Sequence, residues 1–392
     1  MFNLIDNHAI NTLCSAAKDI KSLSCYLVKP ARNQIEKARA IFRWITANIE
    51  YDVDALFRKS YFHSLNAQSI LNSRKGVCAG YSTLFQELAR QAGLQVSTIS
   101  GHGKGYTYLP GNNVRESNHD WNAVCLEDRW QLIDCTWGAG HINESKRYIH
   151  EFEDFFFLTP PEQFIYSHFP DDSQWQLLPH PISRTEYKNL IYVYPDFFRL
   201  GMDPVQYHSA SIEIDNLLII PLVSRYNVAL SARIGSLKKR KDISNTFAQK
   251  EGDIYAVRAA FPSSGNFILT IFGRKREDNS PYLSLMSYGV RALKRPSGIV
   301  CFPVAYNAFA NCGATLIEPF NGYLRKGIMQ SFSIKIPGAL EAAVECAHSL
   351  NHLQKVGEIF SGKVLIRGDK AIVYAKLRAG TEYEGLLQYG VS

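Results

Sequence analysis

At 392 residues the chain is too long for one ordinary domain and calls for two or three. Apolar residues make up 46% and charged residues 20%, the balance of a globular protein, so collagen-like and disordered classes are excluded. The net charge of +7 is modest, and the only basic run, Lys238-Lys239-Arg240-Lys241, reads as a solvated loop, so neither nucleic acid nor a charged membrane surface is expected as a partner.

The first twenty residues lack a basic stretch followed by an apolar one, so no secretory leader is expected. Phe2 stands where myristoylation needs glycine. No apolar stretch is long enough to span a membrane. The eight cysteines form no CxxC pair, which argues against a zinc site and a dense disulfide frame. Together these features point to a reducing, cytoplasmic setting.

Ile10, Leu13, Ala17, Ile20 and Leu23 recur at mostly helical spacing, and Lys29-Pro30 separates this run from a second. That second run places Ile35, Ala38, Ile41, Phe42, Ile45 and Ile49 on one helical face. A third follows Cys78 through Leu84, Phe85, Leu88 and Ala92, with Gly93 placed to end it. "LQVSTISG" reads as a strand, and "GHGKGYTYLPGNN" as a loop. No Lys-Ser, Lys-Thr or helix pattern follows its glycines, so it is not a phosphate loop; its place before His119 suggests a substrate-lining role. "HDWNAVCL" and "WQLIDCTW" then read as two strands of a hairpin across Glu127-Asp128-Arg129.

The texture changes further on. Beyond Trp175 there is no tryptophan, and from about residue 191 short β-type runs alternate with polar turns. This half is internally repeated: "YLSLMSYGV" from Tyr282 matches "YEGLLQYGV" from Tyr383, and a Tyr-x-x-Phe opens each span at Tyr194 and Tyr306. Two tandem immunoglobulin-like β-sandwiches are expected at 191–295 and 296–392, behind an α+β domain at 1–190.

Three residues carry the candidate chemistry. Cys78 precedes a helix, where the dipole and the first N–H groups favour a thiolate and an oxyanion. Gly76 and Gly80 leave room for a substrate backbone beside it. A thiol also needs a base. His119 opens a strand, and Asp134 lies inside the apolar run Leu132-Ile133-Asp134-Cys135, where a carboxylate is costly unless paired. With Glu127-Asp128 as a two-residue loop, Leu126 faces Arg129 and Trp121 faces Asp134. His119 and Asp134 then share a sheet face as diagonal neighbours, with Cβ atoms roughly 7–8 Å apart. Cys125 and Cys135 read as small apolar residues, and Asp120 as a solvated residue of the other face.

The pieces "KARAIFRWITANIEYD", "RKGVCAGYSTLFQELARQAGL", "SGHGKGYTY", "NHDWNAVCLEDRWQLIDCTWGAGH" and "HEFEDFFFLTPPEQFIYSHFPDDSQWQLL" resemble the transglutaminase-like superfamily, and within it the kyphoscoliosis peptidase and hillarin group. The resemblance implies a papain-like α+β core with the cysteine on a helix packed against an antiparallel sheet. It also implies Cys78 as nucleophile, His119 as general base and Asp134 as orienting acid. Members of the superfamily include transglutaminases, cysteine peptidases, peptide N-glycanases and inactive scaffolds. No EF-hand-type calcium loop is present, nor the CxxC pairs of the N-glycanase branch, so no metal or cofactor is expected. The expected activity is cysteine-dependent acyl transfer on a protein substrate, of the hydrolytic peptidase type. The alternatives are a protein-glutamine transglutaminase or deamidase, and a weakly active cytoskeletal scaffold binding protein partners through its β-domains.

Overall fold

The computed structural model describes all residues except 1, 59–65, 113–115, 144, 237–241, 244, 279, 295–300 and 379–381, so the basic run at Lys238 lies outside the described residues. The chain divides into two compact units, 1–108 with 112–188, and 109–111 with 189–392.

The first unit opens with α1 (Asn3–Ile10), α2 (Ile20–Leu27) and α3 (Gln34–Asn48). The first apolar run is thus two helices and not one. A 3-10 turn at Cys14–Ala17 interrupts it, and Asp19 starts α2 afresh by accepting a hydrogen bond from the Ser22 N–H at 2.8 Å. Apolar spacing does not register such a cap, whose short polar side chain competes with the backbone for helix bonds. Asn33 caps α3 in the same way, at 2.8 Å from the Glu36 N–H.

β1 (Glu50–Tyr51), α4 (Val53–Arg58), α5 (Ala67–Ser73) and β2 (Lys75–Gly76) lead into α6 (Cys78–Gln91). β1 and β2 pair in parallel. Gly93 takes φ +78° directly behind the Ala92 cap, the left-handed turn a glycine supplies at a helix end.

The sheet follows as β3 (Gln95–Gly103), β4 (His119–Leu126) and β5 (Arg129–Ile133). Then come α7 (Cys135–Ala139), the hairpin β6 (Gly140–Ile142) and β7 (Tyr148–His150), β8 (Phe157–Thr159), α8 (Pro161–Phe164), β9 (His168–Pro170) and α9 (Arg184–Asn189). The strand order is β8-β5-β4-β3-β9, antiparallel throughout. One face, with Val96, Val124, Leu126 and Ile133, packs on Ile41, Ile45, Leu84, Phe85 and Leu88 of α3 and α6. The other carries Ile99, Trp121, Ala123 and Leu132 against Phe156 and Phe164.

The β4–β5 hairpin has Leu126 opposite Arg129 and Asn122 opposite Ile133. Glu127 and Asp128 take φ 51° and 62°, the positive pair of a two-residue type I′ turn. β3 runs two residues past its expected end. Gly101-His102-Gly103 is strand and not loop, because it pairs with Pro170-Phe169-His168 of the distant β9.

In the second unit the same topology occurs twice. In the first sandwich one sheet runs Tyr192–Val193, Leu283–Ala292, Gly265–Lys275, Val228–Ser236, Asp242–Ile243, and Ser211–Ile214 adds in parallel to Leu283–Ala292. Its facing sheet runs Met202–Pro204, Leu217–Ser224, Ile254–Ala260, Thr246–Glu251. In the second sandwich Val304–Ala305, Glu384–Val391, Lys370–Lys376, Glu341–Cys346 and Ser349–His352 repeat the first order, with Tyr323–Leu324 as the parallel addition. The repeated motifs occupy matching places. Tyr194 and Tyr306 each donate a backbone hydrogen bond of 2.9 Å, to Leu285 and Leu386, the fourth residues of "YLSLMSYGV" and "YEGLLQYGV".

The two sandwiches cluster as one compact unit. Phe247 of the first packs in the core of the second beside Phe309, and the Gln249 side chain both accepts from Leu316 N (2.7 Å) and donates to Leu316 O (3.1 Å).

Candidate active site

Cys78 is the first residue of α6 and is half-buried. Val77 before it is extended and supplies no capping side chain; Gly80 N–H donates to Val77 O at 2.8 Å, and the Cys78 and Ala79 N–H groups before it have no side-chain cap. The flanking glycines differ from expectation. A Cβ on Gly80 would lie 2.9 Å from Ile70 Cδ1, and one on Gly76 would lie 3.3 Å from the same atom. Their smallness lets α5 pack against the start of α6. It does not open space for a substrate.

His119 Nε2 lies 2.7 Å from Asp134 Oδ2. Cys78 also acts on this ring and adds to its basicity. The hairpin register brings the two residues together: Asp134 directly follows β5, on the sheet face that carries His119. The imidazole is also set by its floor. A Cβ on Gly103 would sit 3.0–3.2 Å from the His119 side chain, so the ring rests on bare backbone. Trp121 and Trp137 flank it, with centroids at 6.0 and 5.2 Å. Burial alone would lower its basicity, but the Asp134 charge and hydrogen bond, together with Cys78, outweigh burial and raise its pKa well above the ordinary histidine value.

Asp134 is fully buried, and its four hydrogen bonds use both oxygens. Oδ1 caps α7 by accepting from Thr136 N (2.7 Å) and Trp137 N (3.1 Å). Oδ2 accepts from His119 and from a second imidazole, His168 Nε2, at 3.0 Å. Burial works against the anion, yet these donors hold the carboxyl well below the usual carboxylate range.

His168 carries no expectation from the sequence. The only local signal is a histidine set among Phe164, Phe169 and Pro170, and it points to Asp134 only once β9 pairs with β3. The three side chains could be read as a metal cluster. Their spacing argues otherwise: two ligands of one tetrahedral zinc stand about 3.3 Å apart, whereas the nitrogens here sit 2.7 and 3.0 Å from one oxygen, as hydrogen-bond donors do.

Other residues of the quoted motifs hold the frame. Asn122 Nδ2 donates to Ser82 O of α6 (3.1 Å) and to Thr98 Oγ1 of β3 (3.3 Å), tying the cysteine helix to the sheet. Asp120 accepts from Ser100 Oγ at 2.5 Å on the face away from His119. Cys135 is buried and Cys125 half-buried. Lys104, in the segment expected to line substrate, is instead buried, with Nζ donating to Tyr187 O at 2.9 Å.

An α+β core with a cysteine at a helix start and a His–Asp pair on the facing sheet defines the papain-like class of thiol enzymes and their inactive derivatives. Residues 21–135 match the transglutaminase-like superfamily, and residues 184–303 the KY-like immunoglobulin-like domain. The chain is 40% identical to mouse kyphoscoliosis peptidase over 178 residues, 45% of this chain and 27% of that one. It is 31% identical to Drosophila melanogaster hillarin over 301 residues, 69% and 36% of the two chains. It is 31% identical to the Caenorhabditis elegans Lim and transglutaminase domain protein ltd-1 over 213 residues, 51% and 29%. Residues 21–135 are therefore a transglutaminase-like domain, and the chain is similar to the kyphoscoliosis peptidase and hillarin group. It spans about a third of the length of these relatives. Among the described residues no helix is long and apolar enough to cross a membrane.

Proposed function

We propose that the protein catalyses cysteine-dependent acyl transfer on protein substrates and that water is the usual acceptor. His119 Nδ1 takes the Cys78 proton, and the sulfur attacks a peptide or glutamine carboxamide carbon. The Cys78 N–H at the uncapped start of α6 stabilises the oxyanion. His119 returns its proton to the departing amine and leaves a thioester. It then deprotonates a water, whose attack releases the acid and restores the thiol. Asp134 keeps His119 with its proton on Nε2 and balances the imidazolium charge.

The observation that carries this reading is the buried His119–Asp134 pair at 2.7 Å, with Cys78 close enough to act on the same ring. The peptidase name of the mouse relative supports hydrolysis over cross-linking.

The test is a peptide library incubated with and without a primary amine, using the unaltered protein and Cys78→Ala. New peptide termini that depend on Cys78 are expected. Cys78-dependent amine incorporation would reassign the reaction to cross-linking, and no Cys78-dependent turnover at all would overturn the enzymatic reading. Cys78 is also expected to alkylate at least about tenfold faster near neutral pH than the exposed Cys25.

A further inference from the structure

We propose that His168 is a positioning residue of this site: it donates a hydrogen bond from Nε2 to Asp134 Oδ2 and so holds the carboxylate where His119 reaches it. The inference rests on the reading of Cys78 and His119 as a working pair.

A carboxylate has no proton to give, so both imidazoles facing Oδ2 must donate to it. For His168 this puts the proton on Nε2 and makes Nδ1 an acceptor. Ser167 Oγ stands 2.8 Å from Nδ1 and 3.3 Å from Phe164 O; with Nδ1 an acceptor, its proton goes to the nearer nitrogen and fixes this tautomer. The result is a directed chain: Ser167 hydroxyl to His168, His168 to Asp134, and Asp134 to His119 from the acceptor side.

His168 has little freedom to do anything else. It is buried, its ring stacks on Phe164 with centroids 3.9 Å apart at 16°, and Trp137 lies at 4.3 Å. Its backbone pairs with Gly103, the residue that floors His119. One glycine thus sets the spacing of both imidazoles, whose centroids are 5.3 Å apart.

The chemistry favours a histidine over a cationic donor. A lysine or arginine here would cancel the charge that raises the proton affinity of His119. Burial pushes the His168 pKa down to about 4, so near neutral pH it donates a hydrogen bond and adds no charge. The groups facing it are Asp134, Ser167, His119 and aromatic rings, with His102 further off. The carboxylate is therefore gripped on both oxygens, by the α7 N–H groups and by His168, and keeps its full charge for His119.

The experiment follows iodoacetamide alkylation of Cys78 by mass spectrometry from pH 5 to 9, in the unaltered protein, His168→Phe, His168→Gln and Asp134→Asn. Phenylalanine keeps the stacked ring and removes the donor, while glutamine restores an N–H of similar reach. Misplacing a catalytic group by about 1 Å costs on the order of 10²-fold, so His168→Phe should lower the Cys78 rate at pH 6 by at least about tenfold. His168→Gln should stay within about threefold of the unaltered protein. An unchanged profile in His168→Phe beside a lowered one in Asp134→Asn would overturn this inference alone. A Cys78 no faster than Cys25 in the unaltered protein would overturn the catalytic reading and the inference with it. Should His168→Phe not fold, ¹⁵N NMR of the unaltered protein decides: a proton on Nε2 and none on Nδ1 of His168 supports the assignment, and the opposite tautomer overturns it.

Discussion

Lys104→Met should stabilise the first unit near neutral pH and lose that advantage as pH rises. The Lys104 side chain is fully buried, with Nζ 2.9 Å from Tyr187 O and 4.4 Å from the Tyr187 ring centroid. Burial pushes its pKa from 10.5 down to about 7. Between those values the unfolded chain holds a proton that the native state sheds, so the lysine's contribution to stability rises with pH across this window and is constant below it. The deficit is about 4 kcal/mol at pH 7 and shrinks to about 1.5 kcal/mol by pH 9.5. Methionine fills a similar volume and forfeits the hydrogen bond that the neutral amine donates, about 1 kcal/mol. The variant should therefore gain about 3 kcal/mol at pH 7 and only about 0.5 kcal/mol by pH 9.5. Urea unfolding followed by tryptophan fluorescence reads this directly, because Trp44, Trp121, Trp130, Trp137 and Trp175 all lie in the first unit. A stability difference that stays constant from pH 7 to 9.5 would refute the reasoning, since Lys104 would then keep its charge inside the fold.

Two further substitutions separate catalysis from packing. Asp134→Asn keeps an oxygen for the Thr136 and Trp137 N–H groups but turns an NH₂ toward the two imidazoles, which forces the wrong His119 tautomer. Turnover should fall on the order of 10³–10⁴-fold while the disturbed buried bonds lower the thermal midpoint without unfolding the domain; a variant that does not fold in a melting experiment would make the pair structural. Gly80→Val drives its branches into Ile70 and should cost roughly 1–3 kcal/mol in denaturant titrations. Turnover per folded molecule should survive, and a selective loss of activity would return Gly80 to a substrate-facing role.

The sequence carried the site's core but not its support. His119 and Asp134 were legible because a period-two pattern and a two-residue turn determine which side chains share a face, a strictly local matter. The tandem sandwiches were legible because the repeat itself advertises them. His168 was not, since its place depends on β9 pairing with β3 some sixty-five residues earlier (168 − 103), and no local pattern encodes that choice. The break between α1 and α2 was missed because Asp19 acts through one capping bond. Gly76 and Gly80 were assigned to the substrate because a small residue shows only that something comes close, and the something is Ile70.

The double duty of Asp134 bears on how such a site decays over evolutionary time. Exchanging Cys78 for another small residue removes its action on the His119 ring but leaves the bonds of Asp134 in place. Asp134 cannot be exchanged in this way, because the same carboxylate starts α7 and anchors two buried rings. A lineage that abandons catalysis is then free to lose the sulfur early, while selection for folding alone retains the acid. In descendants of this fold, a surviving aspartate is a relic of architecture, and the cysteine is the better witness to activity.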